Sequence, residues 1–181
     1  MKIKKIVEIC KRSGAVRLLM GDDGVQWLGD GAAYYPLENA PIFDEESLCT
    51  AFDITDKQKE AIFFSTEAQL PSGMCFESTC SGEQFAERND VSLVYKGDTW
   101  LVFSSPKGAL YMKAKYLSPV MADRMEIYLR ETEDGVPYFV CKLGWVVQAI
   151  IMPAMFEKSC REFVSALDLM HEQSLKRRGL I

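Results

Sequence analysis

Histidine is nearly missing from this chain. One copy, His171, among 181 residues leaves a single position for the side chain that most often serves as a base near neutral pH. It follows Leu167 by four residues, near the apolar stripe of a predicted helix, the setting of a packed or partly exposed structural histidine. The sequences GxxxxGK[ST] and GxGxxG do not occur, so the usual backbone cradles for nucleotide phosphates are excluded. None of the six cysteines forms a CxxC pair, which removes the commonest metal-gathering spacing. No apolar run approaches the ~20 residues that cross a bilayer, and the N-terminus has no apolar stretch of signal-peptide length. These absences lead to the expectation of a non-enzymatic, cytoplasmic chain with no catalytic residues, metal, cofactor or membrane partner.

Positive charge is also in short supply. With 21 basic residues against 26 acidic ones and a net charge of −5, the bulk field repels nucleic acid. Contact with DNA would need a local patch, such as Lys2, Lys4, Lys5, Lys11, Arg12 and Arg17 near the start or Lys176, Arg177 and Arg178 near the end. A solvated face is the plainer reading of each. The paired carboxylates Asp22-Asp23, Glu45-Glu46 and Glu133-Asp134 fall in predicted turns or a helix's first turn, where acids serve structure. The cysteines read as buried small hydrophobes in a reducing compartment. Cys75 and Cys80 differ, because the surrounding Gly/Ser stretch at 71–82 leaves an exposed thiol, a disulfide or an activated nucleophile open there.

What the chain has in quantity is apolar material, 48% of its residues, enough for one domain or two small ones folded together. The spacing of Ile3, Ile6, Val7 and Cys10, stopped by Ser13-Gly14, predicts a short amphipathic helix. Segments 16–20, 25–28 and 32–37 are separated by Gly/Asp turns and predict a three-stranded meander. Asp44 is placed to cap a helix through Phe52, and Thr55 or Asp56 starts a second carrying Ala61, Phe63 and Phe64. The pattern fades over 65–90, apart from a helical turn expected near 83–88. Strands follow at 91–95, 99–104 and 109–114, and their likeness to the first meander suggests an internal duplication. After a brief helix near 115–121 come strands at 125–131, 136–142 and 145–152. From Phe156 onward, apolar residues at intervals of three and four predict an amphipathic helix of about five turns.

The segment from Tyr116-Leu117-Ser118-Pro119-Val120-Met121 through three strands to Ala149-Ile150-Ile151-Met152-Pro153 resembles the last repeat of a DNA sliding clamp. The resemblance implies an α+β, DNA-clamp-like fold of repeated units, each a helix plus a three-stranded antiparallel meander, with a long C-terminal helix added. It divides one domain, 1–181, into a first half at 1–64, a linker or insertion at 65–90, a second half at 91–155 and the C-terminal helix at 156–181. In the family, residues at this ending receive short apolar peptides from polymerases. By position that role falls to Ile150, Met152, Pro153 and Met155. Clamp helices face phosphates without reading sequence, and the candidates here are Lys4, Lys5, Lys11 and Arg12. The chain departs from the family in the helix after the ending, in the extra Ala154, and in being shorter than a full bacterial clamp subunit.

The expected function is therefore a clamp-like homo-oligomer that tethers a partner to double-stranded DNA in replication or repair. The alternative is a small interaction or regulatory module that dimerises, or docks a partner through its C-terminal helix, without binding DNA.

Overall fold

The computed structural model describes residues 2–67, 71, 73–106, 108–154, 169–170, 172–173 and 175–179. The first element is helix α1 (Ile3–Ser13), which buries Ile6, Val7, Ile9 and Cys10 and is ended by Gly14 at φ 74°. That left-handed geometry costs least for glycine. Strands β1 (Ala15–Met20), β2 (Gln26–Gly29) and β3 (Ala33–Pro36) form the expected antiparallel meander. Helix α2 (Glu45–Ala51) starts at a reciprocal cap, Asp44 with Ser47, and α3 (Asp56–Lys59) at a second, Thr55 with Gln58. Each cap answers backbone N–H groups that have no partner within the helix. The buried Gln26 amide holds the loop before α2 at two points, donating to Phe43 O at 2.7 Å and accepting from Phe43 N–H at 2.8 Å.

The expected second helix stops early. After α3 the chain turns into β4 (Phe63–Glu67), which runs parallel to β1 with Ala15 opposite Phe63. The spacing of Ala61, Phe63 and Phe64 fits either a helix face or a short strand, and the free edge of β1 decides for the strand. Likewise the helical turn expected near 83–88 is β5 (Gln84–Phe85), paired with β9. The remaining strands are β6 (Arg88–Tyr95), β7 (Asp98–Ser105), β8 (Gly108–Lys113), β9 (Met125–Glu131), β10 (Pro137–Leu143) and β11 (Val146–Ile151), with a 3-10 turn at Ala114–Leu117.

The strand order overturns the clamp-like α+β arrangement. The protein is mostly β, with one mixed eight-stranded sheet ordered β4-β1-β2-β3-β11-β10-β9-β5 and a separate three-stranded sheet ordered β6-β7-β8. Repeated helix-plus-meander units are not its plan. The meander β6-β7-β8, expected to mirror the first, forms its own sheet, while β9-β10-β11 joins the first edge to edge through Ile150 opposite Tyr34 and Ile151 opposite Ala33. The two meanders thus meet through the antiparallel pair β3 and β11. The predicted long helix after 155 lies outside the described residues, of which 169–170, 172–173 and 175–177 are helical.

Two compact units result. The first comprises Met1–Phe85 with Tyr116–Met152, the second Ala86–Lys115 with Pro153–Ile181. In the first, β2, β3 and most of β10 and β11 are buried on both faces. One face gathers Leu19, Trp27, Tyr34, Tyr138, Val140, Val147 and Ile150, with Met74, Phe76 and Met152 packed at its margin. The opposite face turns Leu18, Leu28, Tyr35 and Cys141 inward, and α1 packs against β1 and β2. Burying each large apolar side chain contributes about 1.5–3 kcal/mol. Burial alone pushes the Cys141 thiol up to about 12, so it is inert. In the second unit, Trp100, Val102 and Tyr111 make a smaller core with Leu93 and Tyr95 beside it. There Arg178 pairs with Asp90 and donates to Asn89 Oδ1 at 3.3 Å.

Candidate functional site

The residues expected to capture a peptide are placed mainly by core packing. Ile150 is 0% exposed and belongs to the central cluster, with Met152 packed beside it. Met152 N–H donates to Ala32 O at 2.7 Å, anchoring the end of β11. Pro153 is half-buried, and Met155 lies outside the described residues. The alternation along β11 aims Ile150 and Met152 inward together.

The four basic candidates on α1 divide in two. Lys5 donates to Ser118 O at 3.3 Å and Lys11 to Phe52 O at 3.1 Å, so both tie the helix to neighbouring backbone. Lys4 and Arg12 are exposed, and exposed Glu8 stands between them at a spacing of four residues from each. Residues four apart share a helix face, so this stripe alternates in charge.

The exposed apolar side chains concentrate elsewhere, at the hairpin joining β10 to β11. Leu143 opposes Val146, leaving Gly144 and Trp145 as the two turn residues. Gly144 has φ 61° while Trp145 has no positive φ, the sign pattern of a II′ turn, which needs glycine first. Trp145 is thereby projected from the tip and is 79% exposed, with Leu143 and Val146 about half that. Several other glycine turns among the described residues carry an acid or a lysine beside the glycine: Asp22-Asp23-Gly24, Asp30-Gly31, Lys96-Gly97 and Glu133-Asp134-Gly135. An indole in such a turn serves no packing purpose within the fold. The sequence does carry the signal, since Gly-Trp stands where a polar pair is usual, but Trp145 reads as the first residue of a buried strand.

A second feature invisible to spacing is a buried charge cluster. Glu83, 15% exposed at its side chain, takes Arg130 on one oxygen at 2.6 Å and Lys142 on the other at 2.5 Å. Arg130 is 1% exposed at its side chain. Its remaining donors reach Cys75 O and Glu77 O, each at 2.8 Å, and Ser78 O at 3.3 Å. Arg130 thus makes four hydrogen bonds, one from Nε, two from Nη1 and one from Nη2. Burial pushes the Glu83 carboxyl up, but hydrogen bonds from Lys142 and Arg130 and their charges outweigh it and hold the carboxyl below its usual range. Lys142 also lies over the Tyr128 ring at 4.8 Å. The arrangement straps the loop at 73–83 to β9 and β10. Among the described residues no cluster of metal-ligating side chains is found, and no helix is long and apolar enough to cross a membrane.

No protein-family model, curated protein or solved structure matches this chain.

Proposed function

We propose that this chain is a non-enzymatic interaction module that self-associates through the β10–β11 hairpin. The observation that carries the reading is Trp145, 79% exposed at the tip of a rigid two-residue turn. Tryptophan is the side chain most enriched at the energetic centres of interfaces, and holding it on a short hairpin reduces the ordering cost of association. The apolar trio Leu143, Trp145 and Val146 bears no charge, so two copies can face one another in an isologous contact without repulsion. The working compartment is the cytoplasm, a reading supported by Cys10, Cys49, Cys75, Cys80 and Cys141 all being free thiols. Sedimentation equilibrium across a concentration series tests the proposal. A dimer is expected for the natural chain and a monomer for Trp145→Asp, with the circular dichroism spectrum unchanged. A natural chain that stays monomeric at every concentration, or a variant that still dimerises, overturns it.

A DNA-tethering role is a second reading, supported by the exposure of Lys4 and Arg12 on α1. Two phosphate contacts release few counterions, so the slope of log affinity against log salt on duplex DNA is expected near −1.8, at about −0.9 per contact. The double variant Lys4→Glu, Arg12→Glu should abolish that binding. Binding that survives the double variant removes these residues from the role.

A further inference from the structure

We infer that Cys75 and Cys80 form a reversible oxidation site, a dithiol that closes to a disulfide and staples the loop at 73–83 onto the core of the first unit. The inference is independent of the hairpin reading, since it concerns a different surface and a different chemistry.

The loop is already curled back on itself between the two cysteines. Carbonyls of Cys75, Glu77 and Ser78 converge on one guanidinium, that of Arg130, which forces the chain to curl around it. Cys75 N–H donates to the Tyr138 hydroxyl at 2.9 Å, fixing the start of the curl. Cys75 Sγ lies 3.8 Å from Thr79 O, next to Cys80 in sequence, and the Cys75 thiol is near enough to push the Cys80 thiol up. Both residues are half-buried and both sulfurs are free, so a small oxidant can reach them. Between them Phe76 sits edge-on to Trp27 with ring centroids 4.8 Å apart, closing one face of the core cluster.

The chemistry balances with a small-molecule disulfide as oxidant. Either cysteine can open the reaction with the same balance; in one order Cys75 is first. Its thiolate attacks one sulfur of the oxidant, forming a mixed disulfide and releasing one thiol. Cys80 then loses its proton and attacks Cys75 Sγ, forming the internal S–S bond and releasing the second thiol. The two protein thiols are oxidised, one disulfide is reduced to two thiols, and the two protons from the cysteines end on the released thiols. A thiol in excess runs the steps backwards.

The closed ring holds the loop in its native curl and removes conformations from the unfolded chain. Incubating the full chain with excess oxidised glutathione, followed by intact-mass and peptide mapping, tests the site. The expected result is loss of two hydrogens in mass, a mapped Cys75–Cys80 link, and a melting midpoint higher by about 4–8 °C. Cys80→Ser should instead accumulate a stable glutathione adduct on Cys75 and show no such rise, and reduced glutathione should restore the natural chain. Separate adducts on both residues of the natural chain, links to other cysteines or between chains, or no reaction at either residue would overturn the inference.

Discussion

Arg130→Ala is expected to destabilise the first unit by about 3–5 kcal/mol, the range for breaking a buried ion pair by removing one partner. Three loop carbonyls and one Glu83 oxygen lose their donor together, and none is replaced by water without opening the loop. At roughly 2–4 °C per kcal/mol for a chain of this size, the melting midpoint should fall by about 10 °C. Thermal denaturation followed by circular dichroism reads this directly, and a fall under about 2 °C would mean the cluster does not hold the loop. The same cluster sets an acid response. Glu83 has a folded-state carboxyl held below its unfolded value, so its contribution is complete above the unfolded value, near 4.3–4.5. It is lost as pH falls through the lower folded-state value. Denaturant midpoints measured from about pH 6 down to pH 3 should therefore decline more steeply for the natural chain than for Glu83→Gln.

The second large effect concerns Ile150. Replacing it by alanine should cost about 2–5 kcal/mol, and by valine about 0.5–1.5 kcal/mol, the pattern of a side chain deleted from a packed core. Ile150 is wholly buried among Trp27, Tyr34 and Val140, so the surrounding strands cannot collapse into the space without shifting the β3–β11 seam. Urea denaturation at constant slope separates the two roles this residue has been assigned. A change under about 0.5 kcal/mol would identify an exposed, peptide-facing isoleucine. A graded loss from valine to alanine identifies a core residue that joins the two meanders.

Much of the local structure was legible because its causes are local. Gly14 as a helix stop, Asp44 as a cap and the Gly/Asp turns of the first meander all act within a few residues, and α1, α2 and β1–β3 stand where those signals put them. The failures share one cause. Phe63 and Phe64 read as part of a helix face because their parallel partner, β1, lies about fifty residues earlier in the chain. Alternation along 125–131 and the Gly-containing turns that follow predicted the β9-β10-β11 meander, but local signals could not say which edge it would meet. Of the candidate site, Ile150 packs in the core, and Lys5 and Lys11 donate to backbone carbonyls.

Arg130 shows where sequence and tertiary structure divide the decision. Alternation along 125–131 determines that Glu126, Tyr128 and Arg130 share one face of a strand, because successive side chains of an extended chain point opposite ways. It says nothing about what covers that face. Only when the loop at 73–83 folds over β9 and β10 does an outward-reading arginine become a 2% exposed centre of four hydrogen bonds. The sequence by itself determined the strands, turns and caps. The tertiary structure decided which edges meet and which faces are buried, since those depend on contacts between residues far apart in the chain.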